Sequence, residues 1–391
     1  MRSISAVVRQ GAFLACSWTW CIGMFLPVLL TLDYGLAAFW VFAVPNVVGA
    51  AAMGWILARQ GASEAFITRH RIACEAFSAV TRAFHAFFVF WVLLHTGNAS
   101  HAGGLILAVV LMGVLALGPW VSSSRLQRAA PIVWLLSAAA LVAVVVLVTQ
   151  EHVLPPPDAP DVRRNPDGLL ALLPVCIFGF LLCPYLDLTF HRARQTLHPR
   201  EAAAAFTLGF GVLFFAMILF SAIYGRWMSH GGGAPVLGTM PPVLAWIVGL
   251  HIMLQAWFTF SAHGEELGGR RACPLPRSRL WMALVGMGIA LALVASWADA
   301  RGAHLGEMIY RSFMSFYGLA FPAYVWICHL RAPVGMSRRR LMRRWALAVG
   351  AAAPMYWVGF IDGHEALLVP GLMIVLCAGL LPGPTPQSEH T

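Results

Sequence analysis

Apolar stretches of about twenty residues, separated by short polar segments, recur along the whole chain. A helix of that length crosses the hydrocarbon core of a bilayer, so each stretch predicts a membrane-spanning helix. We number the predicted helices spans 1 to 12 and place them at 11–32, 35–58, 73–95, 103–121, 130–149, 168–190, 203–225, 241–262, 280–298, 306–329, 343–361 and 365–382. The predicted fold class is an all-α integral membrane protein with 12 transmembrane helices.

The arginines give the spans an orientation, because positive residues accumulate in loops on the cytoplasmic side. With the first residue inside, the inner segments contain 20 arginines and the outer loops contain 4. This alternation predicts a multi-pass protein of the cell inner (plasma) membrane with both termini cytoplasmic. Only 11% of residues are charged, so the lipid bilayer is the expected partner. The net charge of +10 is not accompanied by a nucleic-acid-binding motif, and we expect no nucleic acid partner.

Two spans contain glycine and proline where a simple anchor has leucine. In span 1 the candidate substrate-binding residues are Gly23, Met24 and Pro27. In span 6 the corresponding candidates are Gly179, Cys183, Pro184, Tyr185 and Asp187. Proline lacks an N–H and interrupts a helix, and the freed backbone groups are tolerated at membrane depth only when protein or a wet cavity surrounds them. We therefore expect both spans to break and to form a substrate-binding site.

Polar side chains on two further spans extend this candidate site. They are Arg82 and His85 on span 3, and His251, Gln255, Thr259 and Ser261 on span 8. A charge inside a span needs a partner, so we expect Arg82 to pair with Asp187. The residues 263–266 after span 8 predict a solvated helix end. Glu307 and Arg311 are four residues apart and predict a structural or gating pair.

A proline-rich outer loop at 151–167 divides the chain. Residues 1–150 contain spans 1–5, residues 168–330 contain spans 6–10, and residues 331–391 contain spans 11–12 and a short cytoplasmic tail. Because five is odd, a second copy of the first unit enters from the opposite face of the membrane. The division therefore predicts an inverted 5+5 repeat plus two additional helices, as in many transporters.

Twelve spans in this arrangement, with spans 1 and 6 interrupted, resemble the amino acid–polyamine–cation superfamily with the leucine-transporter fold. The resemblance is architectural and covers most of the chain. It implies a solute and an ion between the two breaks, flanked by spans 3 and 8. The superfamily's sodium-binding hydroxyl pair maps to Thr259 and Ser261, although Phe260 separates them here. Proton-coupled members often use a lysine in span 5, and this chain contains no lysine.

The sequence thus favours a secondary active transporter, or symporter, that moves a small polar or charged solute by alternating access, with Na⁺ or H⁺ as the possible coupling ion. The major facilitator class is the second transporter class, but the loop ARQGASEAFITRHR lacks its motif. A sensor or complex subunit without transport is the main alternative, and a histidine-dependent membrane enzyme is a weaker one. No catalytic, metal or cofactor motif is found, so we expect no enzyme activity, metal or cofactor. The solute and the oligomeric state are not specified by the sequence.

Overall fold

The structure, a computed structural model, describes residues 2–95, 121–150, 162–228, 241–268 and 275–382. Within these ranges it is helical and has no strand. Eight of the described helices are long and apolar enough to cross a membrane, and a bent pair brings the number to nine. The prediction of an all-α, multi-pass membrane protein is confirmed at this level. Predicted span 4 lies outside the described residues, except for its last position.

Helices occupy the predicted spans that fall in the described ranges. In the first part of the chain they are α1 (Arg2–Trp18), α2 (Cys21–Tyr34), α3 (Ala37–Ile56), α4 (Ala62–His95) and α5 (Ser123–Gln150). In the second part they are α6 (Gly168–Leu182), α7 (Leu188–Gln195), α8 (Pro199–Leu208), α9 (Phe215–Met228), α10 (Pro242–Gly268), α11 (Leu275–Asp299), α12 (Leu305–Ser315), α13 (Phe321–Val325), α14 (Arg338–Tyr356) and α15 (Leu368–Leu380).

Shorter turns join several of these helices. Segments of 3₁₀ helix lie at Cys183–Leu186 and Glu365–Leu367. Segments of π-helix, each wound with more residues per turn than an α-helix, lie at Gly209–Phe214, Phe316–Ala320, Trp326–Leu330 and Trp357–Ile361. They keep α8 with α9, and α12 with α13, in continuous rods.

The sixth span is interrupted where its proline predicts. After α6 the chain forms the 3₁₀ turn at Cys183–Leu186, and Asp187 then has extended backbone angles (φ −77°, ψ 111°) before α7 begins. Pro184 has no N–H to continue the α-helical hydrogen bonds, which accounts for the change of geometry.

The first span is also interrupted, but the predicted position at Gly23–Pro27 is wrong. The bend of 57° between α1 and α2 lies at residues 19–20, where Trp20 is extended (φ −107°, ψ −175°). Pro27 lies inside the continuous helix α2. Two tyrosine hydroxyls donate to α2 carbonyls before this proline, Tyr310 to Cys21 at 2.8 Å and Tyr224 to Met24, and these contacts stabilise the helix there.

Glycines let the helices around the interruptions approach closely. A Cβ on Gly49 of α3 would collide with the carbonyl of Phe180 in α6, and one on Gly288 of α11 would collide with the carbonyl of Ala83 in α4. Small residues at such crossings are typical of helix packing in membranes. The α3–α6 crossing fixes the end of α6 next to the second interruption.

Candidate functional site

The two interruptions lie side by side inside the bundle. The Thr189 hydroxyl, in the first turn of α7, donates to the Ser17 hydroxyl in the last turn of α1 at 3.1 Å. The rings of Trp18 and Phe190 are 4.9 Å apart. All four side chains are buried. The end of α1 therefore contacts the beginning of α7, and both breaks face the same interior region.

Asp187 occupies the second interruption and is completely buried. Its Oδ1 accepts from the backbone N–H and the hydroxyl of Thr189, both at 2.7 Å, which makes it the N-cap of α7. Its Oδ2 has no hydrogen-bond donor among the described protein atoms. The nearest basic group to Oδ2 in the described ranges is His263 Nε2, at 3.9 Å. Asp187 is therefore enclosed by protein inside the bundle.

His263 corrects the expectation of a solvated helix end at 263–266. The helix α10 continues to Gly268, so His263 and Glu266 are buried against neighbouring helices. His263 Nδ1 lies 3.0 Å from the Ser78 hydroxyl of α4, and Glu266 binds Arg192 of α7 at 2.7 Å. Burial lowers the pKa of Arg192, but the carboxylates of Glu266 and Glu265 together raise it by more, and the guanidinium stays charged.

The predicted pair between Arg82 and Asp187 does not form. Arg82 is only 5% exposed, and its guanidinium carbon lies 4.2 Å from the centroid of the Phe260 ring. Gly264 packs against the guanidinium, since a Cβ there would be in ordinary van der Waals contact with Arg82 Cζ at 3.5 Å. No carboxylate lies within 4 Å of Arg82 among the described residues, and Nε has no acceptor there. A desolvated cation–π contact contributes about 2 kcal/mol, whereas burying an ion costs several kcal/mol.

His85 lies one turn beyond Arg82 and faces the first interruption. Its Nδ1 donates to the Thr81 carbonyl at 2.9 Å, and its Nε2 is buried without a partner in the described part of the chain. Its ring stacks on Trp20, with centroids 6.0 Å apart and planes at 4°. The Cys21 thiol is 3.9 Å from Nδ1. This face of α4 is therefore polar where it meets the start of α2.

Aromatic rings surround the polar groups. The Tyr317 ring packs edge-on against the Trp20 ring, with centroids 4.5 Å apart. The Tyr317 and Thr81 hydroxyls form a hydrogen bond of 3.1 Å. Phe77 contacts Tyr317 at 5.5 Å and Trp18 at 6.4 Å. This aromatic shell excludes bulk water, so charges inside it interact strongly.

The candidate residues of α10 divide between two places. The Thr259 hydroxyl donates to the Cys16 carbonyl in the last turn of α1 at 2.9 Å, and Ser261 is buried without a partner among the described residues. Gln255 donates to the Ser137 hydroxyl of α5 at 2.8 Å. His251 lies away from the breaks, against the Phe220 ring at 4.8 Å. Thr259 is thus at the site, and His251 is not.

The remaining candidates are structural neighbours of the interruptions. Gly23 faces the Phe214 ring, and Gly179 faces the Tyr317 carbonyl. The Cys183 thiol donates to the same carbonyl at 3.0 Å. Tyr185 has its carbonyl 2.9 Å from His191 Nε2.

Ion pairs close one end of the bundle, which we call the Asp33 end. Arg311 of α12 is buried and binds Asp33 of α2 at 2.5 Å and Glu307 at 2.7 Å, so the predicted Glu307–Arg311 pair is confirmed. Arg164 binds Glu365 at 3.1 Å beside them. An apolar cavity of about 60 Å³ lies between α2, α6 and residues 314–318, between this cluster and the interruptions.

The opposite end, which we call the Arg194 end, is closed by hydrogen bonds to carbonyls. Arg194 of α7 donates to the carbonyls of Leu57 and Ala58 at the end of α3, at 2.6 and 2.7 Å. A polar cavity of about 410 Å³ lies on this side, lined by residues 59–64 and 194–199.

Sequence reasoning missed Ser17, Ser78, Thr189 and His263, which complete the site. Short hydroxyl side chains inside apolar helices are common, so only their proximity to Asp187 distinguishes them. No group of three or more metal-ligand side chains is found among the described residues. No family model matches the chain, and no curated protein matches it in sequence.

Proposed function

We propose that this protein is a secondary active transporter that moves a small polar or charged solute by alternating access. The observation that carries the proposal is the contact between the two interruptions, Ser17 with Thr189, beside the buried charges of Asp187 and Arg82. Interrupted helices inside a bundle create binding sites from their free ends and from side chains of the neighbouring helices. A purely structural bundle gains no stability from buried charges that lack a partner.

The neighbours of each helix support the inverted repeat. The helix α1 packs on α5, and α6 packs on residues 316–325. The helix α3 packs on α6, while α8 and α9 pack on α1 and α2. The helix α4 contacts α7, as α10 contacts α1. Compared as whole spans, these contacts join spans 1 and 5, 2 and 6, and 3 and 6. Exchanging 1–150 with 168–330 turns them into the contacts between spans 6 and 10, 7 and 1, and 8 and 1, as expected for the leucine-transporter fold that the sequence resembles.

Contacts between loops support the topology with both termini cytoplasmic. Loops predicted outside meet at the Asp33 end, where Arg164 binds Glu365. Segments predicted inside meet at the opposite end, where the Ser123 N–H donates to Glu265 at 3.1 Å. We propose that the protein lies in the inner membrane of the cell. In this topology the Asp33 end is outside, and the Arg194 end faces the cytoplasm.

The proposed cycle opens these two ends in turn. The outward-facing state requires separation of Arg311 from Asp33, and the inward-facing state requires α7 to leave the end of α3. A coupling ion, Na⁺ or H⁺, would bind near Thr259 and Asp187, where a hydroxyl and a carboxylate face the breaks.

Thiol labelling in liposomes tests the cycle without knowledge of the solute. Thr19→Cys, introduced into a chain whose native cysteines are replaced, places a thiol at the first interruption. We expect a membrane-impermeant thiol reagent to react from either side, because the site opens alternately. Ala300→Cys and Arg339→Cys are controls at exposed positions and should react from outside only and from inside only, respectively.

A Thr19→Cys thiol that never reacts from either side contradicts alternating access and favours a sensor or complex subunit. Uptake of labelled small solutes into the same liposomes, with and without Na⁺ and proton gradients, then identifies the solute and the coupling ion. Empty liposomes provide the background.

A further inference from the structure

We infer that the solute of the proposed transporter is a small organic anion with one carboxylate, anchored by Arg82. The inference rests on the proposed function, because it names the substrate class of the same site. It starts from a buried cation, next to two helix breaks, whose counter-charge is not found among the described residues.

Arg82 is a buried cation without a carboxylate partner among the described residues. The guanidinium lies against one turn of α10, over Phe260 and beside Gly264. Two glutamates on the same pair of helices have other partners. Glu75, on the same helix, binds Arg71 at 2.7 Å, and Glu266 binds Arg192. A buried guanidinium retains its positive charge, so it favours an anion in its vicinity.

The N-terminus of a helix lies at the first interruption. The helix α2 begins at Cys21 in the interior, and its first residues Cys21, Ile22 and Gly23 are buried. The side chain of the N-cap residue, Trp20, makes no capping hydrogen bond. A helix N-terminus carries free N–H groups and partial positive charge, both of which favour an anion. His85, one turn from Arg82 on α4, contacts Cys21 and links the two features.

The guanidinium and the aromatic rings near it indicate the charge and the size of the ligand. A guanidinium presents a planar fork that matches the two oxygens of a carboxylate. One buried arginine balances one negative charge, which disfavours a dianion. The rings of Trp20, Phe77 and Tyr317 pack against one another beside this region, with centroids 4.5 to 6.0 Å apart, so a small ligand with an apolar body fits their chemistry best. Asp187 is not bound to Arg82 and faces His263, so it does not compete for the guanidinium.

Four three-carbon probes of different charge test the inference on the purified, full-length protein. They are propionate, propionamide, propylammonium and the zwitterion β-alanine, each compared at millimolar concentration with equal sodium chloride. A ligand that binds only the folded protein raises its unfolding temperature. We expect propionate to raise the midpoint, and propionamide and propylammonium to leave it unchanged.

Variants of Arg82 connect the effect to this residue. Arg82→Gln should weaken propionate binding about 10- to 100-fold, the range expected for a lost charge-assisted contact, and Arg82→Lys should retain part of it. Without ligand, Arg82→Gln should unfold at the same temperature as the wild type or higher, because an uncompensated buried charge has been removed. Arg71→Gln, on the same helix, is the matched control and should bind propionate normally.

Several results would overturn the inference. With the wild-type protein, these are an unfolding midpoint that propionate does not raise, one that only propylammonium or β-alanine raises, or one that sodium chloride raises as much as propionate does. With the variant, it is an Arg82→Gln protein that unfolds several degrees below the wild type in the absence of ligand. Liposome uptake separates this failure from failure of the proposed function. Propionate binding without uptake of any carboxylate would refute transport and leave the anion site. Uptake of a cation that carboxylates do not inhibit would refute the anion site and leave transport.

Discussion

Replacement of Arg311 by methionine is the most direct test of the closed Asp33 end. Arg311 is 2% exposed and donates to Asp33, to Glu307 and, at 3.4 Å, to the Phe360 carbonyl. Methionine keeps the aliphatic length but removes all of these donors. The variant leaves the buried carboxylate of Asp33 and the half-buried carboxylate of Glu307. The arginines that still contact them are farther away than Arg311 was.

The magnitude follows from those distances. Without Arg311, the ion-pair partners that remain among the described residues are Arg164, whose Nε is 3.6 Å from Asp33, and Arg163, which is 3.3 Å from Glu307. Removing one partner of a buried ion pair costs about 3–5 kcal/mol. Asp33→Asn should cost less, about 1–3 kcal/mol, because Glu307 still holds the guanidinium. The double variant should cost less than the sum of both by at least about 1 kcal/mol, since the two side chains share one interaction.

The assay is thermal unfolding of purified protein in detergent, followed by tryptophan fluorescence. For Arg311→Met we expect a fall in the unfolding midpoint on the order of 10 °C. Arg301→Gln is the matched control, because Arg301 is exposed and stacks on Trp297 at the same end of the bundle. Its midpoint should change little. In liposomes, Arg311→Met should also make Thr19→Cys react faster from outside.

Two results would refute this reasoning. An Arg311→Met protein as stable as the wild type would mean that desolvation of the ions already cancels their attraction. Strict additivity of Arg311→Met and Asp33→Asn would mean that the two side chains do not interact in the folded protein.

Two further substitutions test the framework and the site. Gly49→Ala should destabilise the protein by about 1–3 kcal/mol, since its Cβ would collide with the Phe180 carbonyl, whereas Gly350→Ala, which has open space, should be neutral or slightly stabilising in the same unfolding assay. Asp187→Asn should reduce uptake to the level of empty liposomes while the protein still folds, because asparagine can still cap α7. The exposed control Asp362→Asn should transport normally, and normal uptake by Asp187→Asn would remove this residue from the site.

The two interruptions show what the sequence could predict. The break at Pro184 follows from a local rule, because proline has no N–H to give. The break at residues 19–20 has no such signature. Trp20 is held in its extended conformation by contacts with His85 and Tyr317, which are far away in the chain. The same rule misplaced the first break at Pro27, since it takes no account of tyrosines on other helices.

The charged residues show a second limit. Glu307 and Arg311 were predictable as a pair because one helix turn joins them. Arg82 and Asp187 belong to different helices, and no pattern along the chain specifies which charges meet. His263 and Glu266 looked like a solvated end because acidic residues usually face water. Arg192, brought close by the interruption of span 6, provides the partner that allows Glu266 to be buried.

The π segments have a consequence for how this chain can change in length. Deleting one residue from an α-helix rotates everything beyond it by about 100° and would turn buried faces toward lipid. A π segment contains one residue more than the α-helical turn it replaces, so a single deletion there can be absorbed by conversion to an ordinary turn. Within 316–320 or 357–361 the chain is therefore expected to tolerate loss of one residue, while the rest of the helix keeps its orientation. Natural variation in length inside the bundle should concentrate at these positions.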